Sequence, residues 1–400
     1  MVIELDMVQT IALAVVLLLL GEYLVKRVSV LERYCIPSPV VGGLIFAVIA
    51  LILKSANIVE FYMDETLKNI TMTMFFTSVG LGASIKELKK GGKKVIMFVF
   101  VAIGLVILQN VVAVGTAVIL DQDPLLGMAT GSIPMTGGHG TAGSLGVDVR
   151  DAGLEGGDVI AIAAATFGLV AGSMLGGPVG KSLIEKNKLS ANDNSDNIVG
   201  DMSILDDPKD RKLIPNNFYV GTFQILIAMG IGTLISVLLS KTGLNFPSYI
   251  GAMIAGAIIR NISDITNKYE VPSYEIEIIG GISLSLFLSI ALMVLKLWEL
   301  KDLAGPMVVI LIAQTLLMFL YARFITFNVM GRDYDAAILA AGHCGFGLGA
   351  TPNGIANMTS VTERFGPSPT AFFILPLAGS LFIDFVNPAI IAAFLNFIAN

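Results

Sequence analysis

Two glycine-rich segments, one in each half of the chain, contain residue types suited to binding a small anion. They cover residues 125–147 and 336–357. Glycine lets the backbone approach a ligand, and free backbone N–H groups bind anions as helix N-termini do. The candidate substrate ligands are the hydroxyl, histidine, glycine and asparagine residues of these segments: Ser132, Thr136, Gly137, Gly138, His139, Gly140, Thr141, His343, Gly347, Gly349, Thr351 and Asn353. The alternative is that the glycines only allow close helix packing.

His139 and His343 are the only histidines in the chain. Each could donate a hydrogen bond to a substrate carboxylate, or could satisfy carbonyl groups of its own segment instead. No nucleophile, base and orienting group accompany them, and the chain has no Walker, zinc-protease or nucleic-acid motif. Its two cysteines form no metal-ligand cluster. The sequence therefore predicts a protein that is not an enzyme, needs no cofactor and does not bind nucleic acid.

Asp384 lies in an otherwise apolar stretch, with Asn387 one helical turn further along. An ionised aspartate at the centre of a bilayer costs about 2.5–3.5 kcal/mol on insertion scales, so we expect it to face a cavity or a cation. Carboxylate and amide oxygens are hard ligands that suit Na⁺. Asp384 and Asn387 are therefore the candidate Na⁺ ligands. The alternative is a structural hydrogen bond from Asp384 to a neighbouring helix.

The composition places all these residues in a membrane. Hydrophobic residues make up 55% of the 400 residues and charged residues only 14%, whereas soluble domains have about 25% charged residues. Because about 20 apolar residues span the hydrocarbon core as a helix, the sequence predicts an all-α integral membrane protein. Ten spanning helices are expected near residues 8–25, 37–53, 66–85, 95–120, 157–180, 218–240, 247–260, 276–297, 303–328 and 368–396. The amides Gln109, Asn110 and Gln314 inside these spans are expected to join helices by hydrogen bonds.

The distribution of positive charge predicts the orientation. If both termini lie outside, nineteen of the 25 Lys and Arg residues fall on the cytoplasmic side, as the positive-inside rule requires. The polar stretch 181–217 then becomes a cytoplasmic linker. We expect a multi-pass protein of the bacterial inner membrane with periplasmic termini.

The two halves of the chain repeat each other. Gly131, Gly138 and Gly143 recur as Gly342, Gly349 and Gly354, and three further pairs of motifs recur at nearly the same offset. The sequence predicts an N-terminal repeat (1–180) and a C-terminal repeat (218–400). With five spans in each, the second repeat must be inverted, an architecture found in secondary transporters. The glycine-rich segments are then re-entrant hairpins that enter from opposite sides, because irregular backbone at membrane depth must line a wet cavity.

Several long motifs carry a family resemblance over essentially the whole chain. These motifs are Ser132–Thr141, Ser283–Leu288, Leu295–Leu300, Ala340–Pro352 and Thr362–Ser368. They closely resemble the glutamate:sodium symporter family. The resemblance implies Na⁺-coupled uptake of L-glutamate, opposed re-entrant loops, and a homodimer that moves by an elevator-like step. The run Ile133-Pro134-Met135 departs from the family pattern and could tune substrate preference.

Other functions remain compatible with the residues. The hairpin chemistry alone would also serve a Na⁺-coupled symporter of another small dicarboxylate or hydroxycarboxylate. A Na⁺/H⁺ antiporter that uses Asp384 is a second alternative, although the sequence offers it no second buried acid. An intramembrane hydrolase would need a nucleophile or metal ligands that the sequence does not contain, and the inverted hairpins disfavour a channel.

Overall fold

The structure, a computed structural model, describes residues 2–33, 36–90, 92–191, 213–241, 248–297 and 303–398. The helices of the first half are α1 (Met7–Arg27), α2 (Ser29–Arg33), α3 (Ser38–Ser55), α4 (Thr66–Gly82), α5 (Ile85–Lys90), α6 (Gly92–Ile119), α7 (Pro124–Thr130), α8 (Gly138–Asp151) and α9 (Gly157–Asn187). The helices of the second half are α10 (Pro215–Ser240), α11 (Ser248–Thr266), α12 (Ser273–Met293), α13 (Ala304–Tyr321), α14 (Phe327–Val329), α15 (Tyr334–Gly347), α16 (Thr351–Phe365), α17 (Pro369–Ala378) and α18 (Asp384–Ile398). The first residues of the predicted linker continue α9, and its residues 192–212 lie outside the described residues.

Seven of the ten predicted spans are long and apolar enough to cross a membrane. Among the described residues these are α1, α3, α6, α9, α10, α12 and the helical stretch Ala304–Val329. The other three predicted spans differ. Helix α4 has 17 residues, and α11 carries Arg260 and Asp264 in its second half.

The last predicted span, 368–396, is divided into α17 and α18. A π-helical stretch, Gly379–Ile383, joins the two helices. Pro376 lies inside α17 and removes one backbone donor from the helical ladder. The local irregularity that results ends directly before Asp384. Such π-helical insertions are frequent at functional sites.

A short β-sheet was not predicted, and in this detail the all-α prediction is wrong. Strand β1 (Val2–Leu5) pairs in parallel with strand β2 (Glu60–Met63), with Val2 opposite Glu60. The two strands precede α1 and follow α3, which pack side by side. Extended backbone between helices needs hydrogen-bond partners, and four-residue strands are too short to give a clear alternating pattern in the sequence.

The long helices form two groups, and the contacts in the first group repeat between the halves of the chain. Helix α1 packs on α3 as α10 packs on α11, and α3 packs on α12 as α11 packs on α4. Glycine permits both close crossings. A Cβ atom added to Gly42 would lie 1.9 Å from the Leu17 carbonyl oxygen, and one added to Gly251 would lie 2.3 Å from the Gly232 carbonyl oxygen. The second group contains α6–α9 and α13–α18, with α9 against α8, α15 and α16.

Candidate functional site

Each glycine-rich segment is a pair of helices separated by a break. In the first segment, residues 131–137 separate α7 from α8, and in the second, residues 348–350 separate α15 from α16. Gly138 has a left-handed backbone (φ 59°) that favours glycine. Ala350 is extended (φ −164°), and Pro352 follows in the first turn of α16, where proline is tolerated because that N–H has no helical partner. The predicted two-legged shape of both segments is present.

The two breaks meet each other. A Cβ atom added to Gly138 would lie 2.6 Å from the carbonyl oxygen of Gly349. Helix α9 passes the second break equally closely, since a Cβ atom on Gly168 would lie 2.2 Å from the Leu348 carbonyl oxygen. The residues at the N-termini of α8 and α16, Gly137 and Ala350, provide no capping side chain. The first backbone N–H groups of both helices have no partner within their helices.

A cavity of about 920 Å³ opens where the breaks meet. Nine of the twelve candidate substrate ligands line it: Thr136, Gly137, Gly138, His139, Gly140, Thr141, Gly349, Thr351 and Asn353. Asp384 lines it as well. The opposite wall comes from the first group of helices, with Glu22 of α1, Phe75 of α4 and Glu277 of α12. These three residues were not predicted, because they lie alone on ordinary apolar helices and no local motif distinguishes them.

The three remaining candidates, Ser132, His343 and Gly347, lie outside the cavity lining. Ser132 is fully buried, and its backbone N–H donates to Asn110 Oδ1 at 2.8 Å. Its Oγ donates to Asn387 Oδ1 at 2.8 Å, and Asn387 Nδ2 donates to the Ser132 carbonyl oxygen at 3.2 Å. Ser132 and Asn387 therefore join the first break to α18.

The two histidines have different surroundings. His343 is fully buried, with Nδ1 2.9 Å from Thr326 Oγ1 and its ring against Phe98 and Phe346. His139 borders the cavity, and its Nε2 lies 3.0 Å from Thr166 Oγ1. Only His139 is placed to contact a ligand in the cavity.

Gln109 of α6 joins the two broken segments directly. Its Oε1 accepts a hydrogen bond from Thr136 Oγ1 at 2.7 Å, and its Nε2 donates to the Gly347 carbonyl oxygen at 2.6 Å. Gln314 of α13 donates from Nε2 to the Gln109 carbonyl oxygen at 2.7 Å. The predicted helix-to-helix role is confirmed for Gln314, whereas the Gln109 and Asn110 side chains bind the breaks themselves.

Asp384 begins α18 at the end of the π-helical stretch. Within the described residues, its carboxylate makes no hydrogen bond or ion pair. Its oxygens are thus free for a cation in the cavity. Asn387, the second candidate Na⁺ ligand, is instead occupied by Ser132. No group of three or more His, Cys, Asp or Glu side chains could hold a metal ion in the described part of the chain.

These features define a multi-pass membrane protein in which two broken segments meet at a polar cavity. The family model described as Sodium/glutamate symporter matches residues 3–367. The sodium/glutamate symporter of Escherichia coli (strain K12) is 42% identical over 394 residues, which cover 98% of each chain. That of Haemophilus influenzae (strain ATCC 51907 / DSM 11121 / KW20 / Rd) is 42% identical over 386 residues, or 96% of this chain and 95% of its own.

The chain therefore belongs to the sodium/glutamate symporter family, and the resemblance carried by its motifs is confirmed. The family is one of transporters rather than enzymes. A solved structure of a sodium proton antiporter from Methanocaldococcus jannaschii matches 98% of this chain and 97% of its own at 15% identity. Its TM-score of 0.42 is too low to establish a shared fold.

Proposed function

We propose that the protein imports L-glutamate together with Na⁺ across the bacterial inner membrane by alternating access. The observation that carries this proposal is the meeting of both broken segments at one cavity. Two uncapped helix N-termini border it and favour anions, while Asp384 offers a carboxylate to a cation. The relatives named as sodium/glutamate symporters support the same substrate and ion.

Two inverted repeats of five spans, with opposed re-entrant hairpins, are part of the proposal. The repeated contacts of the first helix group support it, because α1 and α3 pack as α10 and α11 do. An elevator-like step is supported by the position of the cavity. One wall belongs to the first group of helices, and the other wall belongs to the second group, which contains both breaks. The homodimer, the periplasmic termini and the cytoplasmic linker complete the proposal.

We further propose that more than one Na⁺ accompanies each glutamate. An anion that enters a cell with a negative interior moves against about 2.3 kcal/mol per charge per 100 mV. Glutamate carries one net negative charge, so a single Na⁺ only neutralises it. A second Na⁺ allows the membrane potential to drive uptake.

Counterflow in proteoliposomes that contain the purified protein tests the function. We expect external L-glutamate to exchange with internal L-glutamate only when Na⁺ is present. A panel of dicarboxylates and hydroxycarboxylates tests the alternative substrates in the same assay. Preference for one of these, or exchange of glutamate that needs no Na⁺, would contradict the proposal.

A further inference from the structure

Asn353 brings an unused hydrogen-bond acceptor to the cavity. The residue is fully buried and lies in the first turn of α16, in the cavity wall. Its Nδ2 donates to the Leu169 carbonyl oxygen of α9 at 3.0 Å. This bond fixes the orientation of the amide, because only its nitrogen can donate to a carbonyl group. The Oδ1 atom has no hydrogen-bond partner within the described residues.

A buried acceptor without a partner is unfavourable, and most buried polar atoms in proteins have one. A ligand that brings an N–H donor to this position would remove the cost. The neighbouring backbone has the opposite preference, because the first N–H groups of α16 favour an anion. The wall around Asn353 therefore suits a ligand that carries an ammonium group and a carboxylate side by side. An α-amino acid has this arrangement, and a simple dicarboxylate does not.

We propose that Asn353 Oδ1 accepts a hydrogen bond from the α-ammonium group of the substrate and thereby selects amino acids over dicarboxylates of the same length. This inference rests on the proposed function and deepens it, since it names the contact that separates glutamate from glutarate. A site that holds a buried acceptor rejects an analogue without the donor, because the acceptor then stays unpaired.

The first test uses the unmodified protein and a series of competitors. Binding competition against labelled L-glutamate compares glutarate, 2-hydroxyglutarate and 2-oxoglutarate, which place hydrogen, hydroxyl or carbonyl oxygen where glutamate has its ammonium. We expect glutarate and 2-oxoglutarate to compete about tenfold to a hundredfold less well than L-glutamate. The hydroxyl of 2-hydroxyglutarate can donate one bond, so its affinity should lie between these limits. Equal competition by glutarate and L-glutamate would overturn the proposal.

The second test is Asn353→Leu with Asn357→Leu as its matched control. Asn357 lies one turn further along α16, and its Nδ2 donates to the Gly172 carbonyl oxygen of α9 at 2.9 Å. Both variants lose a hydrogen bond between α16 and α9, but only Asn353 borders the cavity. We expect Asn353→Leu to abolish most of the preference for L-glutamate over glutarate, and Asn357→Leu to keep that preference.

Two outcomes distinguish recognition of the ammonium group by Asn353 from Na⁺ binding at Asn353 and from a failure of the proposed function. If Asn353 Oδ1 binds Na⁺ instead, Asn353→Leu raises the half-saturating Na⁺ concentration and keeps the ratio of glutamate to glutarate, which would overturn the proposal. If the unmodified protein binds no L-glutamate at all, the proposed function itself fails. Should Asn353→Leu not fold, the competitor series on the unmodified protein still decides the matter.

Discussion

Gln109 offers a sharp test of how the two broken segments work together. Its side chain hydrogen-bonds Thr136 of the first segment and the Gly347 carbonyl oxygen of the second. Gln109→Leu removes both bonds and leaves the Gly347 carbonyl oxygen without this donor. Thr136 Oγ1 already lies 3.4 Å from that oxygen, so part of the loss can be recovered. With a net value of about 0.5–1.5 kcal/mol for each bond, the total loss is about 1–3 kcal/mol.

The expected consequence is a change in substrate affinity, because the lost bonds hold both tips in the binding geometry. If about 1.4 kcal/mol of the loss falls on the substrate-bound state, the KM for glutamate rises about tenfold. Initial uptake rates in proteoliposomes, measured against glutamate concentration and normalised to folded protein, give KM. Thermal unfolding of the purified variant gives the loss of stability.

Gln314→Leu is the matched control for this prediction. Gln314 is also a fully buried amide in a long helix, but its bond reaches the backbone of α6 and neither break. We expect this variant to lose stability to a similar extent with an unchanged KM. The reasoning is refuted if Gln109→Leu leaves KM unchanged, or if both variants raise KM equally.

Two further predictions concern the tip and the topology. Gly138→Val should abolish uptake while expression persists, because a left-handed backbone and a Cβ atom 2.6 Å from the Gly349 carbonyl oxygen exclude a side chain. Gly115→Val, where an added Cβ atom meets nothing within 4 Å, should transport normally, and normal uptake by both variants would refute the close contact. In a background without Cys35 and Cys344, a cysteine at Lys186 should react with an impermeant thiol reagent only from the cytoplasm, and one at Asp151 only from outside. Labelling of both from the same side would exclude the proposed topology.

The sequence predicted the long elements well because their signals are local. Apolar runs indicated the spans, and clustered glycines indicated where the backbone departs from a regular helix. Contacts between distant residues left no such signal. Ser132 and Thr136 have the same chemistry and nearly the same place in the chain, yet only Thr136 lines the cavity. His343 resembled His139 as a candidate, but residues far from it in sequence enclose it completely.

The cavity wall supplied by α1, α4 and α12 was also beyond prediction. Glu22, Phe75 and Glu277 reach the cavity only because the two helix groups pack against each other. The division of the last span was equally hidden, since the run from 368 to 396 is apolar throughout except at Asp384 and a few small or amide residues. Its π-helical stretch is a consequence of the local geometry around Pro376 and Gly379.

The most direct test of the central claim is the Na⁺ dependence of glutamate uptake by Asp384→Asn and the unmodified protein. The substitution keeps the shape and one oxygen ligand but removes the charge. At 4 Å and an effective dielectric constant near 20, the attraction between a carboxylate and a cation is about 4 kcal/mol, so the half-saturating Na⁺ concentration should rise at least about tenfold. Because the two ligands are linked, high Na⁺ should restore part of the glutamate uptake. An unchanged half-saturating Na⁺ concentration, with protein folded and active, would contradict the account.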